Sequence, residues 1–136
     1  MVTQIRPDEI EDELEFRAKH PGTPICVYRV LKDRARRKDW IGYEELNEEC
    51  DLGLALGTDQ GRNMIGDYVG AVSEFEVDKH RPMLSAVVVH KQSPREPGPG
   101  FYKWADELGQ RRPRESDRAL WFRLLNDCHA YWSQHP

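Results

Sequence analysis

The chain has 136 residues, of which 38% are hydrophobic and 32% charged, and its formal net charge is −4 at pH 7. This length fits one domain with a hydrophobic core, and the 10% aromatic content argues against a disordered chain. No apolar run is long enough to span a bilayer, and residues 1–7 lack the apolar core of a signal peptide. We therefore expect a cytoplasmic protein with no membrane partner.

The three cysteines, Cys26, Cys50 and Cys128, form an odd and widely spaced set. The sequence contains no Cys-x-x-Cys pair and no Cys/His cluster. This spacing predicts neither a zinc site nor a disulfide framework and favours thiols packed in the core. We expect no metal and no cofactor.

The segment 1–22 predicts an acidic helical arm, which precedes a domain that spans 23–136. Pro7 suits the first helical position, and acidic residues follow it while basic residues come last, which is the charge order that the helix dipole favours. The apolar stripe of this helix, which includes Ile10 and Leu14, is thin. The pattern therefore predicts an exposed or partner-facing helix.

Glycines divide the following part of the chain into short elements. A helix comes first, and its predicted buried stripe is Ile25, Tyr28, Leu31 and Ala35. Residues 40–42 predict a short extended segment, and residues 43–50 predict a two-turn helix. The helical period returns from Arg62, and the apolar face of that helix consists of Ile65, Tyr68/Val69, Val72 and Phe75.

Residues 83–89 form the only run that predicts a fully buried strand, and a Pro/Gly-rich loop follows it. A short helix over residues 101–108 and a C-terminal helix capped by Ser116 complete the chain. The order helix, strand, helix, helix, strand, loop is that of a winged helix. We therefore expect a mainly helical α+β fold, with a winged-helix-like core and an added C-terminal helix.

The most specific motifs lie in and after this buried run. Residues 82–91 read Pro-Met-Leu-Ser-Ala-Val-Val-Val-His-Lys, and residues 97–101 read Pro-Gly-Pro-Gly-Phe. Together with Tyr-Glu-Glu-Leu at 43–46, Ile-Gly at 65–66 and Leu-Gly at 108–109, they resemble a small domain found in many uncharacterised bacterial proteins. The resemblance implies a fold and little about function, although some of these proteins carry the label of His-Asn-His endonucleases.

A more distant similarity is to the winged helix of alkylguanine-DNA alkyltransferases and their catalytically silent relatives. That family shows Tyr-x-x-Leu/Val-Ala, Arg-x-Val-Gly and Pro-Cys-His-Arg-Val. Here Asn47 replaces the Ala, one extra residue separates Arg62 from the Ile-Gly step, and Met83 replaces the reactive Cys. Because a thioether has no ionisable thiol, the resemblance implies DNA contact without alkyl transfer.

Arg62 and Asn63 are the candidates for base contact, because they open the predicted recognition helix and their side chains suit base edges. The carboxylates Asp67 and Glu74 on the same face would repel DNA, so only the N-terminal tip of that helix suits binding. The alternative is that Arg62 pairs with Asp59 or Asp67 on the surface.

Two further basic groups are candidates for phosphate contact. Arg36, Arg37 and Lys38 end a predicted helix, where they either hold phosphates or only stabilise the helix C-terminus. Lys91 and Arg95 lie on the candidate wing, which is alternatively a plain crossover loop.

The sequence contains no metalloprotease, phosphate-loop or Gly-x-Ser-x-Gly motif, and the histidines lack ligand spacing. We therefore expect a non-enzymatic module that binds nucleic acid, with DNA as the partner. The alternative is a protein–protein interaction adaptor, whose partner would meet the acidic N-terminal helix or the C-terminal helix.

Overall fold

The computed structural model describes residues 6–92 and 94–135 and is mainly helical. Its described helices are α1 (Pro7–Lys19), α2 (Ile25–Arg36), α3 (Tyr43–Glu49), α4 (Asp59–Asp78), α5 (Pro99–Glu107) and α6 (Asp117–Ser133). A 3₁₀ helix (Leu84–Val87) and two short strands, β1 (Ile41–Gly42) and β2 (Val88–Val89), complete the fold. The mainly helical α+β class is confirmed. Within the described ranges, no helix combines the length and the apolar character needed to cross a membrane.

The two strands form a parallel pair in which Ile41 lies beside Val88 and Gly42 beside Val89. Parallel neighbours need a long crossover, which α3 and α4 supply here. Both strands are buried. Because the pair is parallel, the residues that follow the two strands, Tyr43 and His90, emerge at the same edge.

The prediction of one strand over residues 83–89 is wrong for residues 84–87, which form the 3₁₀ helix. The apolar composition of the run correctly predicted burial, since every residue of the run is buried. Burial does not specify the backbone conformation. The backbone N–H of Ser85 donates to Ser73 Oγ on α4 at 3.0 Å, and the two hydroxyls lie 2.6 Å apart. Contacts with a neighbouring helix thus replace a strand ladder.

The core surrounds an aromatic cluster to which α1 contributes. The Phe16 ring lies 4.9 Å from that of Tyr28 and 5.4 Å from that of Phe75, and all three side chains are fully buried. Ile10 and Leu14 remain 48% and 61% exposed, as their thin stripe predicted. The N-terminal helix therefore contributes to the domain core with one face and leaves the other uncovered.

The predicted helix boundaries hold at some ends and shift at others. Ser116 caps α6 by accepting the Ala119 N–H at 3.2 Å, and Gly109 adopts the expected positive φ of 69° after α5. By contrast, α4 begins at Asp59, where Thr58 caps it. Arg62 is therefore the fourth residue of the helix and not its tip, which corrects the prediction from the sequence.

The cysteine prediction is wrong for two of the three residues. Cys26 on α2 and Cys50 after α3 form a disulfide, with their Cα atoms 5.6 Å apart. Cys128 is a buried free thiol, as expected. The pairing follows from the antiparallel return of the chain through β1, which brings the start of α2 beside the end of α3. Two cysteines so far apart in the sequence carry no local signal of that return.

Candidate functional site

A cleft of about 610 Å³ opens between the first half of α4 and α5. This volume falls in the range of small-molecule and cofactor pockets. Its floor and walls are largely apolar, and they consist of Ile65, Gly66, Val69, Pro99, Gly100, Phe101 and Trp104. Its polar side chains are Tyr43, Arg62, Asn63, Asp67, Ser85, His90, Lys103 and Glu107. We call it the α4–α5 cleft.

Two glycines of α4, one turn apart, determine where the two helices meet and where they diverge. A Cβ on Gly70 would lie 2.2 Å from the Trp104 ring, so the helices touch there. A Cβ on Gly66 would meet nothing within 4 Å. The cleft therefore begins one turn before the closest contact, and Gly66 keeps it open.

Tyr43 and His90 form one wall of the cleft at the edge of the sheet. Their ring centroids lie 4.9 Å apart, and Tyr43 Oη accepts the Gly98 N–H at 3.0 Å. Burial raises the pKa of the Tyr43 hydroxyl, and the Gly98 hydrogen bond opposes this rise only in part. The hydroxyl thus stays protonated at neutral pH. Among the described residues it meets no hydrogen-bond acceptor, which leaves its proton free for a ligand.

Arg62 and Asn63, the predicted base-contacting residues, both line the α4–α5 cleft. Arg62 forms an ion pair with Asp59 and donates to the Leu56 carbonyl at 3.1 Å. The surface ion pair that the sequence left open is therefore present. Asp59 is 91% exposed and Arg62 53%, and pairs this exposed contribute little to stability, so a ligand anion can replace the carboxylate.

The segment of residues 90–96, which we call loop 90–96, is closed by a backbone hydrogen bond from His90 N–H to the Glu96 carbonyl at 2.9 Å. Lys91 pairs with Glu45 at 2.9 Å, and Arg95 lies over the Trp40 ring at 5.3 Å. The described part of this loop contains no strand, so the hairpin of a typical wing is not seen there. The loop nevertheless holds two cations, one beside Glu45 and one over the Trp40 ring.

The predicted basic group of residues 36–38 divides into two. Arg36 forms an ion pair with Glu9 of α1 and donates to the His135 carbonyl at 3.0 Å, so it faces the two ends of the chain. Arg37 pairs with Asp33 at 2.9 Å and is exposed. Lys38 is exposed, has a φ of 55° and precedes Trp40 by two positions. Within this group, Arg37 and Lys38 are the exposed cations, whereas Arg36 is engaged by Glu9 and the His135 carbonyl.

The sequence interpretation did not include several residues that line the α4–α5 cleft. Tyr43 and His90 belong to motifs that it noted, but their convergence depends on the parallel pairing of β1 and β2. Lys103 and Trp104 lie on a helix that the sequence predicted but to which it assigned no function. The signal in the sequence that could have indicated the cleft was Gly66. Glycine weakens a helix, so its presence inside one needs a reason other than helix stability.

Comparison with known proteins gives no match, whether with protein-family models, with curated proteins or with solved structures. Among residues 6–92 and 94–135, no cluster of three or more His, Cys, Asp or Glu side chains has an arrangement that could hold a metal ion.

Proposed function

We propose that this chain is a non-enzymatic nucleic-acid-binding module. The observation that carries the proposal is the surface around Trp40, where Arg95 lies over the exposed indole ring at 5.3 Å and the Asp39 carboxylate accepts the Trp40 backbone N–H at 2.8 Å. Lys38 lies two positions before Trp40, and Lys91 lies in the same loop as Arg95. Aromatic rings beside cations are how many proteins bind single strands, because the rings stack on bases while the cations meet phosphates.

The element order supports a winged-helix-like arrangement in which loop 90–96 takes the position of the wing. In such an arrangement α4 lies against the nucleic acid, and Arg62 and Asn63 face the ligand from the mouth of the α4–α5 cleft. His90 lines that cleft and is followed directly by Lys91. The cleft and the loop therefore adjoin at residues 90 and 91.

The partners of these cations are compatible with phosphate binding. Lys91 pairs with Glu45 and Arg37 with Asp33, and in both pairs the two side chains are at least one-third exposed. Exposed pairs of this kind typically contribute about 0–1 kcal/mol. Displacing such a carboxylate therefore costs a phosphate little binding free energy, and the release of counterions from the nucleic acid favours binding.

The test is fluorescence anisotropy with labelled single-stranded and duplex DNA at low and moderate salt. We expect binding that weakens steeply with salt, and at least a threefold loss of affinity in Arg95→Gln. The matched control is Arg118→Gln, because Arg118 also stacks on an exposed ring, that of Phe122, at 5.2 Å. Salt-independent binding, or equal losses in the two variants, would contradict the proposal.

A protein-interaction adaptor is the second candidate, and the exposed Ile10 and Leu14 on α1 favour it. Deleting the segment 1–20 is a poor test, because it removes Phe16 from the core. The double variant Ile10→Lys/Leu14→Lys leaves Phe16 in place. A protein that co-purifies with the parent and not with this variant, together with no DNA binding by either, would favour the adaptor.

A further inference from the structure

We propose that the α4–α5 cleft holds a single unstacked nucleobase that carries an exocyclic amino group, with its phosphate near Arg62 and Lys103. This inference rests on the proposed function and specifies what the module recognises. The cleft is a built cavity with apolar walls and a polar rim, whereas the surface around Trp40 is open. We therefore assign the two surfaces different roles. The surface around Trp40 contacts the nucleic-acid strand, and the cleft binds one base.

The apolar part of the α4–α5 cleft suits a planar ring. The buried side chains of Ile65, Val69 and Phe101 line it, and the half-buried Trp104 forms a wall on α5. Proteins that extract a base from its stack bind it between aromatic and apolar side chains. A volume of about 610 Å³ leaves room for a base together with its sugar.

The polar rim offers both donors and acceptors. The Asn63 amide does both, and the free Tyr43 O–H donates. Asp67 and Glu107 are carboxylates that only accept, and this is the chemistry that pairs with an exocyclic amino group, as Asp and Glu do with cytosine N4. Adenine, cytosine and guanine carry such a group, which offers two N–H donors, whereas thymine and uracil offer only the single N3–H and so leave one of the two carboxylates unpaired. The rim thus predicts that thymine and uracil are disfavoured.

Two cations line the same cleft and suit the phosphate of the bound nucleotide. Arg62 is held only by an exposed pair with Asp59, and Lys103 is exposed on α5. Because Asp67 and Glu107 would repel a phosphate, we expect the base edge to face the carboxylates and the phosphate to face the cations.

Two glycines line the cleft and place no side chain in it. A Cβ on Gly66 or Gly100 would meet nothing within 4 Å, and neither residue has a positive φ. Neither packing nor backbone conformation thus requires glycine at these positions. At Gly66, a position within a helix, alanine would be favoured by about 1 kcal/mol. Glycine at both positions keeps the cleft free for a ligand.

The experiment uses the full chain and two kinds of ligand, so that a nucleotide within a strand is distinguished from a free one. Labelled oligo(dC), oligo(dA) and oligo(dT) report strand binding by anisotropy, and CMP, AMP and UMP report free-nucleotide binding by calorimetry. We expect oligo(dC) and oligo(dA) to bind at least fivefold more tightly than oligo(dT). We also expect Gly66→Leu, which fills the cleft, to abolish this preference and weaken oligo(dC) binding at least tenfold.

Met64→Leu is the matched control, because Met64 is exposed on the same helix and does not line the cleft. Its affinity for oligo(dC) should stay within twofold of the parent, and circular dichroism checks that both variants fold. If Gly66→Leu folds and still prefers oligo(dC) over oligo(dT), the base pocket is refuted while the proposed function stands. If no oligonucleotide binds, but CMP binds to the parent and not to Gly66→Leu, the base pocket stands and the proposed binding of nucleic-acid strands fails. If neither strands nor nucleotides bind, both proposals fail.

Discussion

Gly66 and Gly70 lie one turn apart on α4, and replacing each by alanine should change stability in opposite directions. At Gly66 the added methyl group enters open space, so the helix propensity of alanine acts alone. That propensity favours alanine by about 0.8–1.0 kcal/mol in a helix interior. Gly66→Ala should therefore raise the free energy of unfolding by about 0.5–1 kcal/mol, which corresponds to a rise in Tm of roughly 3 °C for a chain of this size.

At Gly70 the helix propensity of alanine is outweighed by steric overlap between the added Cβ and the Trp104 ring. The added Cβ would lie 2.2 Å from Trp104 Cε2 and 2.3 Å from Nε1, well inside van der Waals contact. Overpacking of this kind typically costs about 1–3 kcal/mol, and here the indole ring must move away from α4. After the gain in propensity, Gly70→Ala should lower the free energy of unfolding by up to about 2 kcal/mol.

Urea unfolding followed by circular dichroism measures both variants, and the slope of free energy against urea should match that of the parent. A third variant isolates the cause. In a Trp104→Ala background the overlap is gone, so Gly70→Ala should become neutral or stabilising. If Gly70→Ala destabilises equally with and without the indole ring, the contact between α4 and α5 is not the reason. A Gly66→Ala variant less stable than the parent would contradict the open cleft.

Three other predictions concern the body of the domain. Reducing the Cys26–Cys50 disulfide should lower the free energy of unfolding by about 3 kcal/mol, because the bond closes a loop with a sequence separation of 24. Denaturation with and without a phosphine reductant measures this loss of stability. An equal effect of the reductant on Cys26→Ser would contradict the prediction. Arg81→Met removes the ion-pair partner of the fully buried Glu76 and should cost about 3 kcal/mol at pH 8. Burial already raises the pKa of Glu76, and the loss of Arg81 should raise that pKa further. The stability of the variant should therefore fall as pH rises through the pKa of Glu76, and the loss relative to the parent should shrink toward pH 5. A loss of stability that does not change with pH would refute this. Ser116→Ala should cost about 1 kcal/mol, and Ser116→Asp should cost much less in the same urea assay because Asp also caps.

Local sequence signals predicted the elements whose stability is local. Of the predicted stripe, Tyr28, Leu31 and Ala35 are buried and Ile25 is partly buried, and the caps at Ser116 and Gly109 are in place. These features depend on residues within one or two turns of each other. Periodicity and capping are sufficient to find them.

The features that the sequence did not reveal depend on contacts distant along the chain. The 3₁₀ conformation at Ser85 reflects its pairing with Ser73 of α4, and the Cys26–Cys50 disulfide reflects the return of the chain through β1. The α4–α5 cleft requires residues from α3, α4, α5 and the end of β2. No pattern within a single window contains that information. Arg62 and Asn63 could be placed in the cleft only once its other wall was known.

The net charge of −4 would by itself argue against binding a polyanion, yet much of the acid lies where it meets other cations of the chain. Several carboxylates of α1 pair with cations of other elements; Glu13 meets Arg29 at 2.6 Å and Asp12 meets Arg81 at 3.0 Å. These carboxylates are already paired, and none of them lines the α4–α5 cleft. Under the proposed function, the charge that a phosphate meets is therefore set by the residues around Trp40 and the cleft. Salt dependence of binding should follow those few cations and not the net charge of the chain.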